Sequence, residues 1–247
     1  MTTATPHHAV SHGQPHRQER LIPYLPGHRA PHHHERPHPL ERLFVSGAGL
    51  DFIFEHEAQE GVSNHLHWPG GASGVTLGPG YDMKDRSRIQ IVADMTAIGL
   101  DGTVATKISE AQGLHGAKAK DFARSNKHLV DLNKSQQINL LKIIIPIYEG
   151  VVKRNIFIYQ KQNEFDALVS FCYNPGGSFL PVSGAINVGK TPHAMNIIRS
   201  RSSTGGAWSE GLNYRRRDEV NLYVNAIYGV THPLRRKSAH QAGHHKP

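Results

Sequence analysis

The chain has 247 residues, enough for one domain or two small ones, and a formal net charge of +8 that leaves its 19 histidines uncounted. That balance points to anionic partners, and nucleic acid, acidic membrane surfaces and anionic cell-wall polymers all qualify. A single cysteine excludes an internal disulfide, and no apolar stretch approaches the ~18 residues of a membrane span.

From Met1 to Arg42 the sequence holds nine of the 19 histidines and seven of the 15 prolines, with almost no apolar run. Such a stretch cannot bury enough surface to offset its ordering entropy, so residues 1–43 are expected to be disordered. The basic, His-rich residues 231–247 read the same way, leaving 44–230 as one compact domain. Leu50, Phe52, Ile53 and Phe54 open the first apolar segment and predict a helix over Leu50 to Glu57, with Asp51 favouring its start. Turn chemistry follows at Gly61-Val62-Ser63-Asn64 and from Trp68 to Gly74, leading into Val75-Thr76-Leu77-Gly78-Pro79-Gly80-Tyr81-Asp82. Short β-ribbon pieces fit that region.

Beyond Asp82 nearly everything reads as helix. Ile89, Ile91, Val92, Met95 and Ile98 recur at helical spacing, and a long apolar run covers Ser135 to Gln160, which Pro146 is expected to break or kink. Glu164 to Tyr173, Val188 to Arg199 and Asn213 to Tyr228 complete the series. Cys172 lies in an apolar run and reads as a small buried hydrophobe. The fold class is α+β, mostly α, with a small β-ribbon after the first helix and a helical bundle behind it.

Two segments of the second half are specific. Gln162-Asn163-Glu164-Phe165-Asp166-Ala167-Leu168-Val169-Ser170-Phe171, continuing to Gly176-Gly177, resembles the core helix and glycine turn of phage-type lysozymes, glycoside hydrolase family 24. Gly205-Gly206-Ala207-Trp208 followed by Gly211-Leu212 and Arg215-Arg216-Arg217-Asp218-Glu219 resembles that family's ending. The resemblance covers about Phe44 to Tyr228 and implies a lysozyme-like fold. It also implies a catalytic Glu at the end of the first helix, matched by Glu57, and a Thr-x-Gly-x-Gly element, matched by Thr76 to Gly80. The phage pattern places an Asp between them, and none occurs here from Phe52 to Tyr81. Asp82 follows instead, an order that resembles pesticin-like bacterial toxin muramidases. Tyr81 and Ala58 also depart from the usual His and Gly.

The resemblance implies hydrolysis of the β-1,4 bond between N-acetylmuramic acid and N-acetylglucosamine, with inversion. Glu57 would be the acid, its pKa raised by apolar surroundings, while Asp82 and Thr76 would hold the attacking water. An inverting pair stands ~6.5–9.5 Å apart. Fully extended, residues 76 to 82 would span about 20 Å at ~3.3 Å per residue, so the chain must fold back at Gly78-Pro79-Gly80. Glu55 and Glu60 compete for the acid role, and Glu60 carries the family's following Gly but lies past the apolar run. Asp82 also suits a cap for a helix starting near Met83, and Thr76 a simple β-former. In the arginine run a solvated face is expected, with one arginine paired inside.

Gly184-Ala185-Ile186-Asn187-Val188-Gly189-Lys190-Thr191 satisfies the phosphate-loop pattern, but no buried parallel strand precedes it and Pro192 suits a plain helix start. No cofactor or metal is expected for the chemistry, although the terminal histidine clusters could hold Zn²⁺ or Ni²⁺ weakly. The expected partner is the peptidoglycan glycan strand, met by a monomer, together with a neutralising immunity protein if the chain is a toxin. No specific nucleic acid is expected. Without a signal peptide's apolar segment, the chain should be made in the cytoplasm and reach the wall through a dedicated export or lysis system. The alternative is a non-catalytic peptidoglycan- or nucleic-acid-binding module on the same fold.

Overall fold

The computed structural model describes residues 40–204 and 207–231. The flanking segments expected to be disordered lie outside the described residues, as does Gly205-Gly206. Nine α-helices, one short 3-10 helix (Lys127–Leu129) and two antiparallel strand pairs occur among the described residues: α1 (Gly47–Glu57), β1 (Thr76–Leu77), β2 (Tyr81–Asp82), α2 (Arg88–Ala97), α3 (Gly102–Ser109), α4 (Gly116–Ser125), α5 (Lys134–Asn155), α6 (Gln162–Tyr173), α7 (Leu180–Asn187), α8 (Thr191–Ser200), β3 (Ser203–Thr204), β4 (Ala207–Trp208) and α9 (Glu210–Asn225). Helix dominates and the ribbon follows α1, as the α+β, mostly α expectation has it.

Helix α1 starts three residues before the predicted Leu50. Its cap is Ser46, whose hydroxyl accepts from Gly49 N–H at 3.0 Å and donates to Asp166 Oδ2 at 2.6 Å. Gly47-Ala48-Gly49 is a poor helical sequence by propensity. It is helical because Asp166, fully buried on α6, grips the cap, and a side chain at Gly49 would collide with the Asp166 carboxyl at 2.7 Å. Asp51 plays no part in the cap.

Helix α5 runs through Pro146 unbroken, so of the expected break or kink the break does not occur. Pro146 and the residue one turn before it, Lys142, are both exposed, so the carbonyl that loses its amide partner faces water. Inward, α5 serves two cores at once. Leu141, Ile145 and Val152 join α1, α6, α7, α8 and α9, while Leu140 and Ile144 join the ribbon, α2, α3 and α4. Leu40 is buried in the first core and Leu43 packs against it, so the packed chain reaches a few residues before the boundary at 44. In the phosphate-loop lookalike, Gly184–Asn187 is the end of α7, Gly189 turns at φ 74°, and Thr191–Pro192 opens α8. No strand leads into it.

Candidate active site

The ribbon that follows α1 is a fold-back between β1 and β2, paired antiparallel with Thr76 opposite Asp82 and Leu77 opposite Tyr81. Gly78 (φ 61°) and Gly80 (φ 108°) take backbone conformations that a side chain would strain. The Tyr173 hydroxyl, at the end of α6, donates to the Pro79 carbonyl and fills the space a Cβ on Gly80 would need. A third segment lies on the other side of β1: His67 N–H donates to Thr76 O at 2.9 Å and Thr76 N–H to His67 O at 2.8 Å. The Thr76-to-Asp82 distance that an extended chain would impose is thus removed by the turn.

Between the end of α1 and this ribbon lies a cavity of about 390 Å³. Glu57, Ser63, His67, Trp68 and Thr76 line it, with Gly78-Pro79-Gly80 along one edge. Of the three competing glutamates, only Glu57 faces it. Glu55 pairs with Lys134 at 3.0 Å, and Glu60 is exposed past the helix end. Thr76 is buried, its hydroxyl 3.4 Å from the Gly74 carbonyl. Asp82 stands opposite Thr76 in register but does not line the cavity. Its carboxylate accepts from Gly74 N–H at 3.0 Å through Oδ2 and from Lys84 N–H at 2.8 Å through Oδ1. The nearest helix start is Arg88, capped by Ser87, so Asp82 is not a helix cap. The structure therefore brings Glu57 and Thr76 onto one cavity and leaves the Asp82 carboxylate, on the strand residue paired with Thr76, off its lining.

The surroundings of Glu57 are ionic rather than apolar. Arg215 on α9 donates to Glu57 Oε1, to Glu219 Oε1 at 2.9 Å and to the Ser170 carbonyl at 3.0 Å. Burial opposes the charge on Arg215, and the two glutamates outweigh it, holding the guanidinium above its usual range. Arg216, fully buried, donates to Glu219 Oε2 and to the carbonyls of Arg201 and Asn174. Two arginines of the run are thus internal where one was expected, and only Arg217 is exposed. Sequence contained the signal, a basic triplet beside Asp-Glu on a helix, but i,i+3 and i,i+4 pairs of this kind usually lie in solvent.

His67 is a lining residue with chemistry of its own that pattern reading missed, because it sits among turn residues. Its Nδ1 lies 3.0 Å from the His65 carbonyl. A carbonyl only accepts, so Nδ1 carries the proton and Nε2 of the neutral ring is an acceptor. Burial lowers the pKa of this imidazole and keeps it neutral. The rings of Tyr148 and Tyr173 meet beside the site, tilted by 42° with their centroids 4.6 Å apart. Burial, then the charge of Glu57, raises both phenols, so they remain protonated. Cys172 is buried, and burial pushes its thiol up, which removes it as a nucleophile. Among the described residues no group of acidic, histidine or cysteine side chains could hold a metal ion.

An endolysin from Escherichia coli O157:H7 phage FAHEc1 is similar over 76% of this chain and 98% of its own, with a TM-score of 0.51 and 22% identity. The fold is lysozyme-like. The muramidase domain of SpmX from Asticaccaulis excentricus matches 74% of this chain and 99% of its own at 20% identity, with a TM-score of 0.48. The sequence model of a domain of unknown function, DUF8812, matches residues 51–170. No curated protein matches the sequence.

Proposed function

We propose that the chain is a muramidase related to the phage-type lysozymes of glycoside hydrolase family 24, with the pesticin-like residue order. It cleaves the β-1,4 bond between N-acetylmuramic acid and N-acetylglucosamine with inversion. The observation that carries this reading is the shared cavity of Glu57 and Thr76 on a lysozyme-like fold, with Glu57 anchored from behind by a buried guanidinium. Arg215 fixes one carboxyl oxygen, and the other, when protonated, gives its proton to the leaving glycosidic oxygen. Thr76 and Asp82 hold the water that attacks the opposite face of the sugar. Each Asp82 oxygen accepts one backbone bond and retains a lone pair for that water. The wall is reached through a dedicated export or lysis system, and a toxin role brings with it a neutralising partner.

A second reading of the base rests on one observation: Nε2 of neutral His67 is an acceptor on the cavity wall, whereas the Asp82 carboxylate is engaged by the ribbon backbone. In that version His67 takes the proton from water and Asp82 only shapes the ribbon.

The test is release of new muramic-acid reducing ends from purified peptidoglycan by the native chain and by Glu57→Gln, Asp82→Asn and His67→Gln. General acid catalysis contributes typically 10²–10⁴-fold, so Glu57→Gln should lose about that much. A comparable loss in Asp82→Asn alone supports the first base, and in His67→Gln alone the second. Native protein that binds wall but releases no ends makes the domain a binding module.

A further inference from the structure

A second hollow, of about 360 Å³, adjoins the candidate active site and shares the walls Val62, His67 and Trp68 with it. Trp68 stands between the two, its indole N–H donating to the Ser73 carbonyl at 3.1 Å. The floor is apolar, with Leu66 and Ala123 buried. The far rim is basic: Lys120 and Arg124 are one turn apart on α4, and Lys127 follows in the next turn. All three are exposed. The Lys120 ammonium lies 5.8 Å from the Trp68 ring centroid, within cation–π reach. Arg124 also pairs with Asp121 at 2.8 Å in solvent, where such a pair adds little. Among the described residues no carboxylate lines the hollow.

We propose that this hollow is a second subsite that takes the carboxylate-bearing stem peptide of peptidoglycan while the glycan occupies the neighbouring cavity. The proposal rests on the muramidase reading. In a peptide-bearing strand the lactyl carboxyl of muramic acid is consumed in an amide, so the sugars themselves offer no anion to three clustered cations. The peptide hanging from the same sugar does offer carboxylates, joined by short aliphatic residues that suit an apolar floor. Continuity of the two hollows across Trp68 matches a substrate whose glycan and peptide branch at one sugar.

The test is co-sedimentation of the full-length chain with two insoluble walls at one ionic strength. One wall is native peptidoglycan; in the other the peptide carboxyls are capped as methylamides with carbodiimide and methylamine. Glu57→Gln protein is used so that the wall stays intact, and the flanking segments are common to every protein compared. Capping should weaken binding roughly tenfold, the effect of losing a few exposed charge contacts. Adding Lys120→Glu, Arg124→Glu and Lys127→Glu should weaken binding to native wall by a similar factor and abolish the difference between walls. Lys120→Gln with Lys127→Gln gives the same pattern, smaller, should the triple change unfold the chain.

Undiminished binding of the triple variant to native wall would overturn the proposal. So would a capping effect that survives in that variant. The expected binding pattern with no bond cleavage by the native chain would sink the muramidase reading and leave the subsite standing.

Discussion

Glu219→Gln removes one charge and almost no volume from the most enclosed ionic cluster among the described residues. Glu219 is fully buried and accepts from Ser170 Oγ at 2.9 Å, from Arg215 Nε at 2.9 Å and from Arg216. After the change Arg215 keeps Glu57, but Arg216, itself fully buried, loses the carboxylate it is paired with and is left with neutral acceptors, the carbonyls of Arg201 and Asn174 and whatever the new amide oxygen offers. Removing one partner of a buried pair costs about 3–5 kcal/mol, because the remaining charge loses its counter-ion without regaining water. For a domain of this size 1 kcal/mol moves the thermal midpoint by about 2–4 °C, so a fall of about 6–20 °C is expected. Urea denaturation followed by circular dichroism reads the free energy directly. Adding Arg216→Met should return part of the loss, with a coupling of about 0.5–3 kcal/mol between the two changes. A Glu219→Gln protein within about 1 kcal/mol of the native chain would refute the view that this cluster depends on its central carboxylate.

The pH dependence of stability follows from His56, whose pKa is lowered by burial, then by Arg215, from 6.5 to about 4. The unfolded chain binds the extra proton first, so His56 contributes stability above pH 6.5 that is lost as pH falls toward 4, roughly 3 kcal/mol in all. His67 adds with the same sign, while Asp218, 3.5 Å from His56 and raised by burial, acts oppositely nearer the carboxylate range. Urea midpoints at pH 7.5 and 5.5 should differ, and His56→Asn should flatten the difference; an unchanged slope would remove the assignment. Gly80→Ala should lose about 1–3 kcal/mol from the backbone conformation alone, and more because Tyr173 must leave the Pro79 carbonyl. Equal thermal midpoints for the two proteins would show that the turn relaxes freely.

What sequence conveys about this fold follows from which forces are local. Helices α6 and α9 announce themselves by periodic apolar residues or by charged pairs at helical spacing. Helices α3 and α4 do not, since their buried positions are largely alanines, Ala105, Ala119 and Ala123 beside Ile108, too small to mark a face. The start of α1 depends on Asp166, 120 residues away, and the internal arginines depend on carboxylates brought in by α1 as well as their own helix. The fold-back at Gly78-Pro79-Gly80 was legible because glycine and proline act locally. The placement of the Asp82 carboxylate was not, because it is decided by two backbone N–H groups of the folded ribbon.

Helix α5 sends neighbouring side chains, Leu140 and Leu141, then Ile144 and Ile145, into different cores. A helix gripped from two sides in this way cannot rotate to relieve a misfit in one core without spoiling the other. Gly78 at the ribbon turn rests on Leu140, so closely that a Cβ there would meet its methyl at 2.9 Å. The angular setting of α5 therefore acts as an indexing pin: whatever fixes Leu141 among the C-terminal helices also fixes the height of the ribbon bearing Thr76. The two halves that frame the cavity take their alignment from one rod.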